Sequence, residues 1–251
     1  MNEQRIVLRQ RRDLGEIIQA ALHLYQRNFG ALFVIAAVVV PLGIASATLA
    51  PDPVDFGDTY AVDGELLAFL GIVLLGALVT VLASAAIIAA LAQIDQGGLP
   101  EFSSAFDAAF ERVWTLLGAA LRAIAIVVLL SITVIGIPWA IQRAVRWLFV
   151  PQAVMLDNTT AREALAKSAS AVEGRWWRTL AVALVILVIV RVPGFIIAGV
   201  LIRAPALLSG TVNSFANALL LPLAVTAITL LYFDLQVRKD SDERIASDPA
   251  P

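Results

Sequence analysis

Hydrophobic positions recur at helical spacing in three short stretches of this chain, and each stretch runs on into a long segment with almost no charge. In the first, Leu14, Ile17, Ile18, Ala21, Leu22 and Tyr25 fall at i, i+3, i+4, i+7, i+8 and i+11, one face of an α-helix. Phe102, Ala105, Phe106, Ala109, Phe110 and Val113 repeat that register, and Ala161, Ala164, Leu165, Ser168, Ala169 and Val172 repeat it again. Polar side chains take the opposite faces: Glu16, Gln19, His23 and Gln26 in the first, and Arg162, Glu163, Lys167, Ser170 and Glu173 in the third. The first and third also open with the residue pair of a capping box, Asp13 with Glu16 and Thr160 with Glu163. In that motif each side chain satisfies a backbone N–H of its partner. The pattern predicts amphipathic helices lying along a membrane surface, with His23 exposed.

The segments that follow read as membrane spans, since an uncharged apolar run of about 20 residues crosses a bilayer. Residues 29–49 form the first, kinked by Pro41. Residues 66–94 form the second, long enough to tilt or protrude and rich in small residues that suit close helix packing. A turn at 95–100 ends it. Residues 115–137, interrupted by Arg122, make the third, and residues 139–156, with Arg143 and Arg146, the fourth. The fifth opens at Trp177, carries Arg191 and a break at Pro193-Gly194, and ends at Arg203-Ala204-Pro205. Residues 212–233 form the sixth. The expected fold is an all-α integral membrane protein with six transmembrane helices in three hairpins, each preceded by a cytoplasmic amphipathic surface helix. The shared register makes the three units, 13–95, 101–156 and 160–234, an internal repeat that aligns Gly30 with Gly118 and Glu16 with Glu163.

Composition agrees with this reading. The 251-residue chain is 60% hydrophobic and 15% charged, against roughly 45–50% and about 25% for soluble domains. Its lysines and arginines outside the apolar runs lie in residues 1–12, the three surface helices and the C-terminal end, with Arg203 alone on the other side. Residues 51–65 hold Asp52, Asp55, Asp58, Asp63 and Glu65 and no base. By the positive-inside rule both termini are cytoplasmic and the acidic loop is external, in a multi-pass protein of the cell membrane. Residues 1–12 read as a flexible basic arm, 13–237 as one membrane domain, and 238–251 as a disordered cytoplasmic tail. Ala45-Ser46-Ala47 resembles a signal cleavage site, but the charged region before it is too long for a signal peptide, so the first span is expected to be retained. With no cysteine, disulfides, thiolate metal sites and cysteine nucleophiles are excluded, and the single histidine excludes any site that needs two.

Several local patterns resemble the membrane domain attached to some bacterial glycerophosphodiester phosphodiesterases. They are Leu14-Gly15-Glu16-Ile17-Ile18 with Leu24-Tyr25-Gln26-Arg27-Asn28-Phe29, then Ala164-Leu165 with Ser168, Gly174 and Trp177, and finally Leu231-Tyr232-Phe233-Asp234-Leu235 with Arg238. The likeness covers about residues 13–240. It implies a six-span fold in a stand-alone member of that membrane-domain family. It does not imply the activity, because in the enzymes catalysis belongs to a separate TIM barrel with paired carboxylates and histidines, for which this chain has neither length nor composition.

No Walker loop, HExxH, nucleophile elbow or dinucleotide fingerprint is present, so no enzyme activity, cofactor or metal is expected. Membrane lipids are the expected partners, with a membrane protein or a second copy of the chain beside them, and nucleic acid is not. The polar groups within the spans carry the remaining chemistry. Asn213 with Asn217, and Thr80 with Ser84, stand at i, i+4 and suit interhelical hydrogen bonds. Asp234 with Arg238 suits either a helix end at the interface or a structural salt bridge. Arg122, Arg143, Arg146 and Arg191 have no evident carboxylate partners. An arginine at a span centre costs about 2.5–3.5 kcal/mol, unless it snorkels to the interface or finds an anion. These four are the candidate anion or lipid site, with Arg143, Arg146 and Arg191 lining its outer half, Pro193-Gly194 opening its wall and Arg122 nearer the cytoplasm. The leading expectation is a non-catalytic membrane protein that binds or translocates lipid-like or other amphipathic anionic molecules. The alternatives are an accessory or scaffold subunit and a membrane enzyme acting on lipid without a recognisable motif.

Overall fold

All three amphipathic stretches fold as helices, and each leads into a longer apolar one. The computed structural model describes residues 8–50 and 64–247, and the regular elements among them are helical. Helix α1 (Leu14–Arg27) starts on the Asp13–Glu16 capping box and buries Ile17, Ala21, Leu24 and Tyr25. Leu24 thus takes the place expected of Leu22, which faces outward, and His23 is exposed. The first span is α2 (Phe29–Ala37) and α3 (Val40–Thr48). They part where Pro41 has no N–H to give the Ala37 carbonyl. Helix α4 (Gly64–Asp95) follows, then α5 (Phe102–Glu111) and α6 (Val113–Ser131).

A 3-10 turn, Val134–Gly136, leads to α7 (Ile137–Arg146) and α8 (Val150–Asp157). Residues 139–156, expected as one span, are therefore two short helices. Pro151 cannot donate to the Trp147 carbonyl, which takes the Val150 N–H at 3.3 Å instead, and the helix breaks there. Asn158 closes α8 with a left-handed φ of 53°. Helix α9 (Ala161–Val172) opens on its expected capping box: the Thr160 N–H donates to Glu163 Oε2 at 3.0 Å, and the Glu163 N–H donates to Thr160 Oγ1 at 3.4 Å. Those bonds favour the ionised carboxylate and hold the Glu163 pKa below its ordinary value.

Helices α10 (Trp176–Val200) and α11 (Ala206–Ser247) complete the chain. The break expected at Pro193-Gly194 is absent, for α10 runs straight through Pro193. A proline in a membrane helix removes one hydrogen bond without ending it. Pro222 does the same in α11, and beside that turn the Tyr25 hydroxyl donates to the Leu219 carbonyl at 2.8 Å. The tail also departs from expectation. Residues 238–247 continue α11, held by Arg175 on Asp242 and by the Lys239 ammonium on Ser170 Oγ. Likewise residues 8–12 are no free arm, because Leu8 and Arg12 are buried. Of the acidic loop expected at 51–65, residues 51–63 lie outside the described residues, and Glu65 stands in the first turn of α4.

Among the described residues five segments are long and apolar enough to cross a membrane: Phe29–Thr48, Gly64–Asp95, Val113–Ser131, Trp176–Val200 and Ala206–Arg244. The chain is a multi-pass, all-helical membrane protein. Helix α11 is its centre and packs against α1, α2, α3, α4, α9 and α10. Ion pairs gather several element ends on one face: Arg9 with Asp95, Lys167 with Asp157, and Arg178 with Asp234. The start of α5 joins them, since the Glu101 N–H donates to Gln93 Oε1 near the end of α4.

Small residues set the closest approaches. Ala83, Ala85, Ala86 and Ala90 of α4 are fully buried, as their composition predicts. Where α3 crosses α11, a Cβ on Gly210 would overlap the Cβ of Ala47, and one on Gly43 would meet Ser214. Gly210→Val is expected to lower the thermal unfolding midpoint in detergent by several degrees, from an overpacking cost of about 1–3 kcal/mol. Gly199→Val on α10, where nothing lies within 4 Å, should stay near wild type. Equal midpoints for the two variants would contradict so close a crossing.

Candidate functional site

Helical periodicity brings four helix faces together around a cavity of about 590 Å³. Leu180, Leu184, Leu187 and Arg191 stand on one face of α10, at i, i+4, i+7 and i+11. Ser214, Asn217, Leu221, Ala224 and Ile228 line it from α11. Leu42, Gly43 and Ser46 close it from α3, and Ile72, Gly76 and Thr80 from α4. Leu148, from the turn between α7 and α8, completes the wall beside Leu180. Gly76 leaves room there, with only the Leu42 side chain within 4 Å of where its Cβ would stand, whereas Gly43 lets α3 approach Ser214 of α11.

Most of the polar side chains in the wall are already committed to their own helices. The hydroxyls of Ser46, Thr80 and Ser214 donate to the carbonyls of Gly43, Gly76 and Gly210. Asn217 Nδ2 donates to the Asn213 carbonyl at 3.0 Å, Asn213 Nδ2 to that of Ser209 at 3.2 Å, and the Ser84 hydroxyl to that of Thr80. The interhelical bonds expected of Asn213, Asn217, Thr80 and Ser84 are thus replaced by bonds within a helix, whose i−4 carbonyl is always within reach. Arg191 differs. No described residue offers it an ion pair or hydrogen bond. Among the described residues that line the cavity it is the one cation.

The other three arginines lie elsewhere. Arg122 donates from Nη1 to the Gly118 carbonyl of its own helix at 3.2 Å. Arg143 sits over the Trp147 ring, 5.5 Å from its centroid. The carbonyl of Arg146 accepts from the Ser168 hydroxyl at 2.7 Å, and Ser168 Oγ in turn accepts the Phe149 N–H at 3.1 Å. These bonds fix the arginine-bearing end of α7 against the surface-type helix α9. Arg143 and Arg146 therefore do not join Arg191, and Leu148 is the part of their segment that reaches the cavity. A second, aromatic cleft of about 440 Å³ between Pro138, Trp139, Gln142, Trp176 and Trp177 carries no charged side chain. Among the described residues no three His, Asp or Glu side chains come together as a metal site.

Sequence reasoning underweighted Asp234. It is neither a helix end nor at a surface: its side chain is fully buried in the middle of α11. Arg238 Nε donates to both its oxygens, at 2.8 and 3.0 Å, and Arg178 Nη2 reaches Oδ2 at 3.0 Å. The backbone N–H of Arg12 donates to Oδ1 at 2.8 Å. The Arg12 carbonyl in turn accepts from Arg178 at 2.6 Å and from Arg238 at 3.2 Å. Burial lowers the pKa of the Arg12 guanidinium, while the charge of Asp234 opposes that shift. Two residues earlier on α11, the Tyr232 hydroxyl donates to Asp157, which also pairs with Lys167 at 3.1 Å. The available signal was an acid inside the apolar run Leu231-Tyr232-Phe233-Asp234-Leu235, with a base one turn on.

Removing the Asp234 carboxylate leaves Arg178 and Arg238 facing each other without a counter-charge. Breaking such a pair costs about 3–5 kcal/mol. Asp234→Ala is expected to yield little folded protein, or a sharply lowered unfolding midpoint, whereas Asp240→Ala on the exposed part of α11 should behave as wild type. A thermal melt of both variants in detergent decides it.

Comparison with protein-family models, with curated proteins and with solved structures finds no match for this chain, so the geometry above carries the functional argument.

Proposed function

We propose that this chain is a non-catalytic membrane protein that binds or translocates amphipathic anionic molecules, membrane lipids among them, in the cavity between α3, α4, α10 and α11. One observation carries the reading: among the described residues Arg191 has no ion-pair or hydrogen-bond partner, in a wall that is otherwise apolar or bonded within its own helices. A cation in that setting is costly, and an oxyanion that accepts two of its parallel N–H bonds offsets the cost. The rest of the cavity then covers an apolar tail. Its volume lies within the range of small-molecule sites.

The same proposal includes a topology with both termini cytoplasmic. The face that gathers Arg9, Lys167, Arg175, Arg178 and Arg238 is the basic one, as the positive-inside rule requires of the cytoplasmic side. Helices α2–α3 with α4, and α10 with α11, supply two pairs of crossings. Helix α6 leaves that face, and α8 ends on it at Asp157, so the chain returns whatever depth the α6–α7 hairpin reaches and the count of crossings stays even. The resemblance to the phosphodiesterase membrane domains and the threefold pairing of surface helix with apolar helix support this arrangement.

Two experiments test the proposal. Arg191→Gln keeps a polar side chain with amide N–H donors and loses the charge. It is expected to reduce co-purifying anionic lipid several-fold, by native mass spectrometry, with an unfolding midpoint near wild type. Unchanged lipid content counts against the binding reading. For topology, the cysteine-free chain allows single-site labelling. Arg203→Cys should react with an impermeant maleimide from outside, and Asp240→Cys only after permeabilisation. Labelling of both from outside rejects the orientation.

A further inference from the structure

The cavity is not uniform along the membrane normal, and its unevenness has a direction. On α10 the wall runs from Leu180 through Leu184 and Leu187 to Arg191. Helix α11 returns alongside from the turn at 201–205, so its wall reads in the opposite chain direction. Ile228, Ala224 and Leu221 come first, followed by Asn217 and Ser214. Arg191 and Asn217 each lie roughly 15 Å along their helices from that turn, at 1.5 Å per residue, and so share a level. Helix α3 follows the same order, from Val39 and Leu42 to Ser46, with Gly43 against Ser214 fixing its register. Thr80 of α4 is the exception, and its hydroxyl is already donated to the Gly76 carbonyl.

Resting on the binding function proposed above, we infer that the cavity holds its ligand with one fixed polarity. A singly charged oxyanion head sits at Arg191 and Asn217, and an apolar tail runs past Leu187 and Leu184 toward Leu148, Leu180 and Ile228. Arg191 brings one positive charge and the parallel donors of a guanidinium fork, which match one carboxylate or one phosphate oxyanion. Asn217 has a second amide N–H beyond the one given to Asn213, available to the same head. The tail end, about 16 Å away along α10, offers Leu148, Leu180, Ala224 and Ile228, and its one polar neighbour, Thr80, has its hydroxyl donated to the Gly76 carbonyl. Reversing the ligand would bury its charge among those residues and leave Arg191 uncompensated, so the two orientations differ strongly in free energy. By the topology proposed above, the head end is the one further from the cytoplasm.

Photo-crosslinking separates this inference from the function on which it rests. Two fatty acids are used as probes, one with a diazirine at the terminal carbon and one with it next to the carboxylate, together with lysophosphatidylglycerols, whose phosphodiester carries one charge, bearing the same two labels. Purified wild-type protein in detergent is irradiated with each, and the labelled peptides are mapped by mass spectrometry. Terminal labels are expected on peptides containing Leu180 or Ile228, and head-proximal labels on those containing Arg191 or Asn217. Arg191→Gln should reduce both several-fold. Preference between the carboxylate and phosphate series identifies the head group. Labels that fall in the cavity in the reverse order, or without order, overturn the fixed polarity and leave the binding function standing. No labelling of the cavity by any probe overturns both.

Discussion

A carboxylate with no water around it must have its charge balanced and its lone pairs filled, and Asp234 meets that requirement only when three separate parts of the chain converge on it. Arg238 comes from the same helix, Arg178 from the start of α10, and the backbone of Arg12 from the segment before α1. The acid thus ties the N-terminal segment, α10 and the central α11 into one unit at the basic face. Neighbouring contacts depend on that junction. Arg9 lies over the Phe233 ring, and Tyr232 draws in the end of α8 through Asp157. Buried ion pairs add little to stability beyond what apolar packing would give, but removing one partner is severe. The cluster therefore specifies which segments meet rather than simply adding binding energy.

The helices and their surface or apolar character were legible in the sequence because both follow from local periodicity. Stripes at i, i+3, i+4 and the two capping boxes need only neighbouring residues to act, and α1, α5 and α9 begin within a residue of where these signals place them. The fourth span misled because composition counts apolar residues without asking whether the backbone can stay hydrogen-bonded. Pro151 decides otherwise at the Trp147 carbonyl. Pro193 and Pro222 show the converse, since the same residue type is carried within a continuous helix. The outcome depends on packing that no single-chain pattern records.

Site residues were harder to read for the same reason. Arg191 was visible as a charge in an apolar run, but so were Arg122, Arg143 and Arg146, and nothing local separates them. What separates them is how each helix packs: Arg122 turns back to a carbonyl of its own helix, Arg143 lies over the Trp147 ring, the backbone at Arg146 is held by the Ser168 hydroxyl, and Arg191 meets no partner among the described residues. The asparagines illustrate a further limit. Spacing at i, i+4 places Asn213 and Asn217 on one face, yet it cannot say whether an amide turns to a neighbouring helix or to its own backbone.

Helix α11, 42 residues and so roughly 63 Å long, makes a single rod of the cavity wall, the buried acid and the charged end beyond it. Rods transmit rotation. Asn217, Asp234 and Asp242 cannot turn independently of one another except where a backbone hydrogen bond is missing, and Pro222 supplies the one such point between the cavity's polar end and the ion cluster. Motion of the helix is therefore reduced to a swivel about a known joint, with the tail end of the cavity, from Ala224 to Ile228, riding on the segment that the ion cluster holds still.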